Sequence, residues 1–168
     1  MLNLIASGRP IGELSEAVGL RFGVVEQAAD EVQWLDPETP DAPREHIDLS
    51  ALYEEGSVQR LALEAGELDR FVALARELGD GEAATLALAE ARSLSVATDD
   101  RKARRVLTVL DPQPEITGTA SIMQAWSSGR RHEEISTALG LIEVRASFVP
   151  PNFDAASSWW RNAVGPSG

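Results

Sequence analysis

The sequence contains no cysteine and only two histidines, His46 and His132, far apart along the chain. Disulfides, thiolate zinc sites, iron–sulfur clusters and a cysteine nucleophile are therefore excluded, and any bound metal must be held by oxygen. Long apolar runs are missing as well. No stretch is long enough to span a bilayer, and Met1 to Ala6 has neither the basic start nor the small-residue cleavage site of a signal peptide. A soluble, cytoplasmic protein without membrane attachment is expected. Basic charge is scarce: 15 Lys and Arg stand against 27 Asp and Glu, a net −12. That excess repels phosphate at long range and argues against a passive nucleic-acid groove. It leaves open a nuclease whose metal ions and local basic patches supply the positive charge. The glycine-rich phosphate and dinucleotide loops and the serine-hydrolase elbow are absent too.

What is present suits one globular domain. A chain of 168 residues, 43% hydrophobic, buries roughly 70% of its unfolded surface. Leu2 to Ala6, bounded by Ser7-Gly8-Arg9-Pro10, reads as a short buried strand. Ile11 to Val18 has helical spacing between Pro10 and Gly19, a start and a stop signal. Leu20 to Val25 reads as a strand and Val25 to Leu35 as a helix ended by Asp36-Pro37. Glu38 to Arg44 is a proline-rich loop. Helical turns at Leu49 to Glu54 and a strand at Val58 to Leu63 follow. Glu67 to Leu78 is the clearest amphipathic helix, with Leu68, Phe71, Val72, Ala75 and Leu78 as its apolar stripe.

Glu82 to Ala91 is a strong helix former, apolar on most sides and so expected to be buried. Leu94 to Thr98 is a compact strand running into Asp99-Asp100, and Arg101 to Leu107 is the next helix. A strand at Glu115 to Thr117 and helices at Thr119 to Ser127, His132 to Leu139 and Asp154 to Val164 complete the chain. In the last helix one of Trp159 and Trp160 is expected on the core. This alternation indicates an α/β fold with a mainly parallel sheet.

The unit from Glu82 to Asp100 has a geometric consequence. A helix of about ten residues is roughly 15 Å long, and a strand of five roughly 16 Å. The helix N-terminus and the strand C-terminus then lie at one sheet edge, the edge where open α/β sheets place ligands. Glu82 and the Asp99-Asp100 pair should converge there. Converging carboxylates repel unless a cation sits among them, and Mg²⁺ or Mn²⁺ takes a few carboxylates plus water and phosphate oxygens. The implied chemistry is metal-assisted phosphodiester hydrolysis. The alternatives are structural: Glu82 favouring the positive end of its helix, and one aspartate capping the helix at Arg101. A cap needs only one carboxylate, so the second aspartate carries most of the functional signal. Arg101, Lys102, Arg104 and Arg105 form the dense basic cluster beside these acids. They are either contacts to RNA phosphates or a solvated helix face.

The run Leu78-Gly79-Asp80-Gly81-Glu82-Ala83-Ala84, with Leu86 to Ala89 and then Thr98-Asp99-Asp100-Arg101-Lys102-Ala103-Arg104, resembles the PIN domain, in particular its branch related to VapC-type toxins. Ile116 to Ile122 with Ala125-Trp126, and the opening Leu2 to Arg9, are similar to that branch as well. The resemblance covers residues 1–150, with 151–168 as a C-terminal helix and tail of the same domain. It implies a three-layer α/β/α sandwich and an Mg²⁺- or Mn²⁺-dependent ribonuclease with an acidic cluster at the carboxyl edge of the sheet. An RNA substrate, an antitoxin protein and a homodimer are the implied partners.

Carried over by position, the helix-start acid is Glu82 and the acid of the Thr-x-Asp pattern is Asp100, with Asp99 beside it as a metal ligand and Thr98 in support. The acid of the second helix is best matched by Glu31, whose alternative is a solvated helix acid. The family also has a first-strand Asp ahead of the stretch matched by Leu2 to Arg9, whereas no Asp here precedes Glu13. Asn3 is the nearest polar residue, and a neutral amide is a poor ligand for a hard cation. The expectation is either a natural start a few residues earlier or a site short of one ligand. The second case is a non-catalytic module that binds RNA or a protein partner.

Overall fold

A computed structural model describes residues 1–31, 34–110 and 113–165. The segment Leu2 to Ala6, expected as a strand, is instead a helix, α1 (Leu2–Ala6). Leu4 and Ile5 both donate their N–H to the Met1 carbonyl, and Gly8 closes the turn onto Ile5 in a left-handed conformation at φ +66°. Five apolar residues cannot announce a helical or extended period by themselves. The glycine that ends this turn was the readable signal.

Helix α2 (Ile11–Val18) ends where Gly19 takes φ +67° and Leu20 donates back to Ser15. Strand β1 (Phe22–Val25) follows, then α3 (Glu26–Ala29). The helix expected from Val25 to Leu35 thus ends early, and its Val32 lies outside the described residues. Trp34–Leu35 is a strand, β2, paired antiparallel with β3 (Glu45–His46) across the proline-rich loop. Tertiary contacts override the helical spacing here. Leu35 is buried in the main core, and the Asp36 N–H donates to the Arg145 carbonyl at 2.8 Å.

Helix α4 (Ser50–Glu54) leads to β4 (Val58–Leu61), which pairs parallel with β1 in the register Phe22 to Val58 through Val25 to Leu61. A short 3₁₀ turn (Ala65–Glu67) opens α5 (Leu68–Leu74), shorter than the expected helix to Leu78. Of its apolar stripe Leu78 is buried and Phe71 and Ala75 are half-buried, while Leu68 and Val72 are exposed. Then come α6 (Asp80–Arg92), β5 (Val96–Ala97), α7 (Arg101–Leu107), β6 (Ile116–Thr117), α8 (Thr119–Trp126), α9 (His132–Arg145) and α10 (Ser157–Val164). Strands β5 and β6 pair parallel, Val96 with Ile116.

The α/β class with parallel pairing holds. The single central sheet of the sequence reading is drawn as separate two-stranded ladders among the described residues. Alternation along β1 explains the layering. Phe22 and Val24 enter the main core, with Leu14 of α2, Met123 and Trp126 of α8, Ile142 of α9 and Trp160 of α10. Val25 points the other way, onto Ala84 and Leu88 of α6. A second core joins α5, α6, β5 and α7 through Leu74, Leu86, Val96 and Leu107. Helix α6 is buried along most of its length, as its composition requires, and its N-terminus is thereby fixed beside the end of β5. Trp160 is fully buried and Trp159 half-buried, so one Trp of the pair anchors the last helix. No helix among the described residues is long and apolar enough to cross a membrane.

Candidate functional site

Three elements converge where β5 ends. Helix α3 brings Glu31 just past its C-terminus, α6 brings Glu82 in its first turn, and the β5–α7 junction brings Thr98, Asp99 and Asp100. A cleft of about 120 Å³ opens among them, lined by Glu31, Gly81, Glu82, Thr85 and Thr98. Gly81 makes this approach possible. Its N–H donates to Glu31 Oε1 at 3.2 Å, and a Cβ at that position would lie 2.8 Å from the same oxygen and 2.9 Å from Ala28 Cα. Any larger residue would push α3 away from the start of α6.

The electrostatics record the convergence. The Glu82 carboxyl is pushed above the ordinary glutamate value, first by burial and then by the negative charge of Asp100, with Glu31 adding to it and Lys102 opposing it. Like charges held close in a partly desolvated cleft favour the neutral form, and a cation among them would reverse that. Glu31 and Glu82 thus line one cleft, and Asp100 lies near enough to act on Glu82.

The adjacent aspartates have different partners. Asp100 caps α7, accepting from the Ala103 N–H at 2.7 Å, while its own N–H donates to Thr98 Oγ1 at 3.1 Å. Asp99 looks toward β6 and α1. Its Oδ1 accepts from the Thr119 N–H at 2.9 Å, and its Oδ2 accepts from Asn3 Nδ2 at 3.0 Å and from the Thr119 hydroxyl. Gly118 leaves room for this arrangement. A Cβ there would lie 2.8 Å from Asp99 Oδ1 and 2.4 Å from Arg104 Nη2.

The basic cluster also divides. Arg104 donates to the carbonyls of Thr98 at 2.8 Å and Thr117 at 3.1 Å, and its Nη2 lies 3.8 Å from the buried Asp154. Its guanidinium thus ties β5, β6 and the loop before α10 together. Lys102 donates to the Glu77 carbonyl while lying close enough to act on Glu82. Arg101 is exposed beside Asp100. Sequence reasoning missed Thr119, Gly118 and Asp154 as parts of this edge, and took Asn3 only as a poor substitute ligand. The Thr117-Gly118-Thr119 string was the available signal for the first two. Nothing local distinguishes Asp154.

The donor set suits a hard divalent cation in kind and in charge: every converging group is a carboxylate, and their repulsion is relieved by positive charge. Among the described residues no three acidic or imidazole side chains lie close enough to cage an ion. Mg²⁺ takes one or two carboxylates and completes its octahedron with water and phosphate, so an open half-site fits that ion better than a closed cage would.

A family model described as a PIN domain matches residues 29–153, well over half of the chain. No curated protein and no solved structure matches it.

Proposed function

The chain belongs to the PIN-domain family, and from that premise we propose that it is a cytoplasmic, metal-dependent ribonuclease that hydrolyses RNA phosphodiesters. Residues 1–150 form the PIN-like unit and 151–168 close it. Glu82 and Asp100, with Glu31 near them, would hold Mg²⁺ or Mn²⁺. Asp99, bonded to Thr119 and Asn3, completes the acidic edge behind them and fixes its shape. When bound, the ion lowers the pKa of a water and stabilises charge on the phosphodiester. Thr98 orients Asp100 through its hydroxyl, Arg101 and Lys102 receive the phosphates that flank the cut, and Arg104 holds the strand ends in register. The role of a toxin restrained by an antitoxin, and a homodimeric form, belong to the same reading.

The observation that carries it is the cleft where Glu31 and Glu82 meet beside Thr98 and the turn that bears Asp99 and Asp100, with the Glu82 carboxyl raised there. Acids from three separate elements near the carboxyl edge of a parallel ladder repel one another, and a bound cation would relieve that repulsion. The test is cleavage of single-stranded RNA with Mn²⁺ or Mg²⁺ by the wild-type chain and by Asp100→Asn. Cleavage by the wild type that is lost in the variant supports the assignment, and equal activity in both overturns it.

The lack of a three-acid cage among the described residues favours a second reading, a PIN-like module that binds RNA or a protein without cutting. Calorimetric titration with Mn²⁺ separates the two, because only the nuclease binds the ion through Glu82 and Asp100.

A further inference from the structure

We propose that Phe153 and Arg101 form a stacking subsite for a nucleobase of single-stranded RNA beside the acidic cleft. This rests on the ribonuclease reading and names how that site grips its substrate. Phe153 is 54% exposed, on the loop between α9 and α10. A single exposed apolar side chain is ordinary on a protein surface and needs no explanation. This one differs in its neighbour, its seat and its place.

The neighbour is Arg101, whose guanidinium carbon lies 6.0 Å from the Phe153 ring centroid. Arg101 follows Asp100 directly, so the ring stands beside the β5–α7 junction that carries the two aspartates. The guanidinium lies over one face of the ring and leaves the half-exposed side chain its other face, so a π-surface for a base stands next to a cation for its phosphate, the pairing that single-stranded nucleic acid calls for.

The seat is rigid. The next residue, Asp154, is buried, accepts from the Ala156 N–H at 2.8 Å, donates its own N–H to the Pro151 carbonyl at 2.9 Å, and lies 3.8 Å from Arg104. On the other side, Asn152 accepts from Arg161 of α10 at 2.9 Å. A ring held in place before the ligand arrives loses little conformational entropy on binding. The place is equally specific. Asp154 Oδ2 and Asp99 Oδ1 both lie within contact distance of the Cβ position of Gly118. The Phe153 loop is thus built against the same strand ends that present Asp99 and Asp100.

The experiment is steady-state cleavage of a single-stranded oligoribonucleotide in Mn²⁺, together with fluorescence-anisotropy binding of that oligonucleotide and of a version with abasic sites. Phe153→Ala is expected to raise KM and Kd about tenfold, the size of one lost base–aromatic stack, with a much smaller change in kcat. Phe153→Trp restores the affinity, whereas Phe153→Leu does not. The abasic oligonucleotide binds wild type and Phe153→Ala alike. If Phe153→Ala or Phe153→Leu matches wild type while Asp100→Asn abolishes cleavage, the subsite is wrong and the nuclease reading stands; apolar docking of a protein partner then becomes the better account of the ring. If wild type neither binds nor cleaves the oligonucleotide, the nuclease reading falls and the subsite with it.

Discussion

Glu67 and Glu82 are the same residue type, each near the start of a helix, and the structure treats them in opposite ways. Glu67 accepts from Arg92 Nε at 2.7 Å and closes a capping box by accepting from the Glu64 N–H at 2.7 Å. These bonds hold its carboxyl below the ordinary glutamate value, Arg92 contributing most. Glu82 meets no arginine, and the Gly79 N–H and Lys102 beside it offset only part of what raises it. It faces Asp100 and Glu31, and burial with that repulsion lifts its carboxyl above the ordinary value. Both positions gain from the positive end of a helix, so the helix dipole cannot account for the difference. The difference comes from what the tertiary fold brings to each acid. An arginine makes Glu67 a brace of the structure, and two further carboxylates make Glu82 a site.

The sharpest way to break this contrast is Asp100→Asn. Asparagine caps a helix about as well as aspartate, so α7 keeps its cap and Tm is expected to hold. Cleavage should nevertheless fall by more than the 10–100-fold typical of a supporting shell residue, since a direct ligand would be lost. Asp99→Asn is the control. It removes charge-assisted bonds to Thr119 and Asn3 and should lower stability by about 1–3 kcal/mol, with activity tracking the folded fraction. Reversal of these two patterns in paired thermal melts and cleavage assays would overturn the division of labour between the adjacent aspartates.

The next effect lies in the pH dependence of stability. A carboxyl depressed in the folded state stabilises above its unfolded pKa, and that contribution is lost as pH falls through the folded value. Glu67→Gln should therefore lower Tm at neutral pH, with the gap to wild type closing as pH drops below the ordinary glutamate range. A raised carboxyl has the opposite sign, because ionisation costs more in the folded state. Glu82→Gln should raise Tm at neutral pH, with its gap closing at higher pH than that of Glu67→Gln, as pH falls from the raised value to the ordinary glutamate value. Added Mn²⁺ should raise the Tm of wild type and leave that of Glu82→Gln nearly unchanged. Shifts of the same sign in the two variants would remove the contrast between brace and site.

The sequence reading succeeded where one local rule decides. Pro10 and Gly19 bracketed α2, and the alanine- and leucine-rich composition of α6 announced its burial. It failed where distant contacts decide. Leu2 to Ala6 is too short for a period to show. Trp34 and Leu35 leave the helical spacing because His46 and Glu45, twelve and ten positions later, pair with them across a turn. Leu68 and Val72 complete a helical stripe on paper, yet the neighbouring layers cover only part of it. At the site, chemistry was legible as residue type and spacing. Which aspartate caps α7 and which bonds to α8 and α1 was not, because that depends on Thr119 and Asn3 at separations of 20 and 96 residues.

A smaller effect separates two arginines that the sequence treats alike. Arg104 spends its guanidinium on two carbonyls and stands 3.8 Å from Asp154, whereas Arg101 stands exposed next to Asp100. Arg101→Ala should reduce the salt dependence of RNA binding by about one phosphate contact and leave the fold intact. Arg104→Met should lower Tm by releasing β5 from β6, with little change in the salt slope of the protein that remains folded. Anisotropy at several salt concentrations reads the first, and thermal melts the second.

The smallest test concerns an unmet polar group away from the acidic edge. The Tyr53 hydroxyl is buried with no hydrogen-bond partner among the described residues, in a wider cleft lined by Glu26, Asp30, Asp48 and Arg60, and burial raises its pKa. A buried hydroxyl without a partner costs stability, so Tyr53→Phe should be stabilising by about 0.5–1 kcal/mol. The same substitution should leave RNA cleavage unchanged. Lost cleavage with gained stability would make Tyr53 a second Glu82, a group kept unsatisfied in the free protein because a ligand satisfies it. Gained stability with cleavage intact marks the hydroxyl as a packing cost and confines the functional tension of this fold to the edge where Glu31, Glu82 and Asp100 meet.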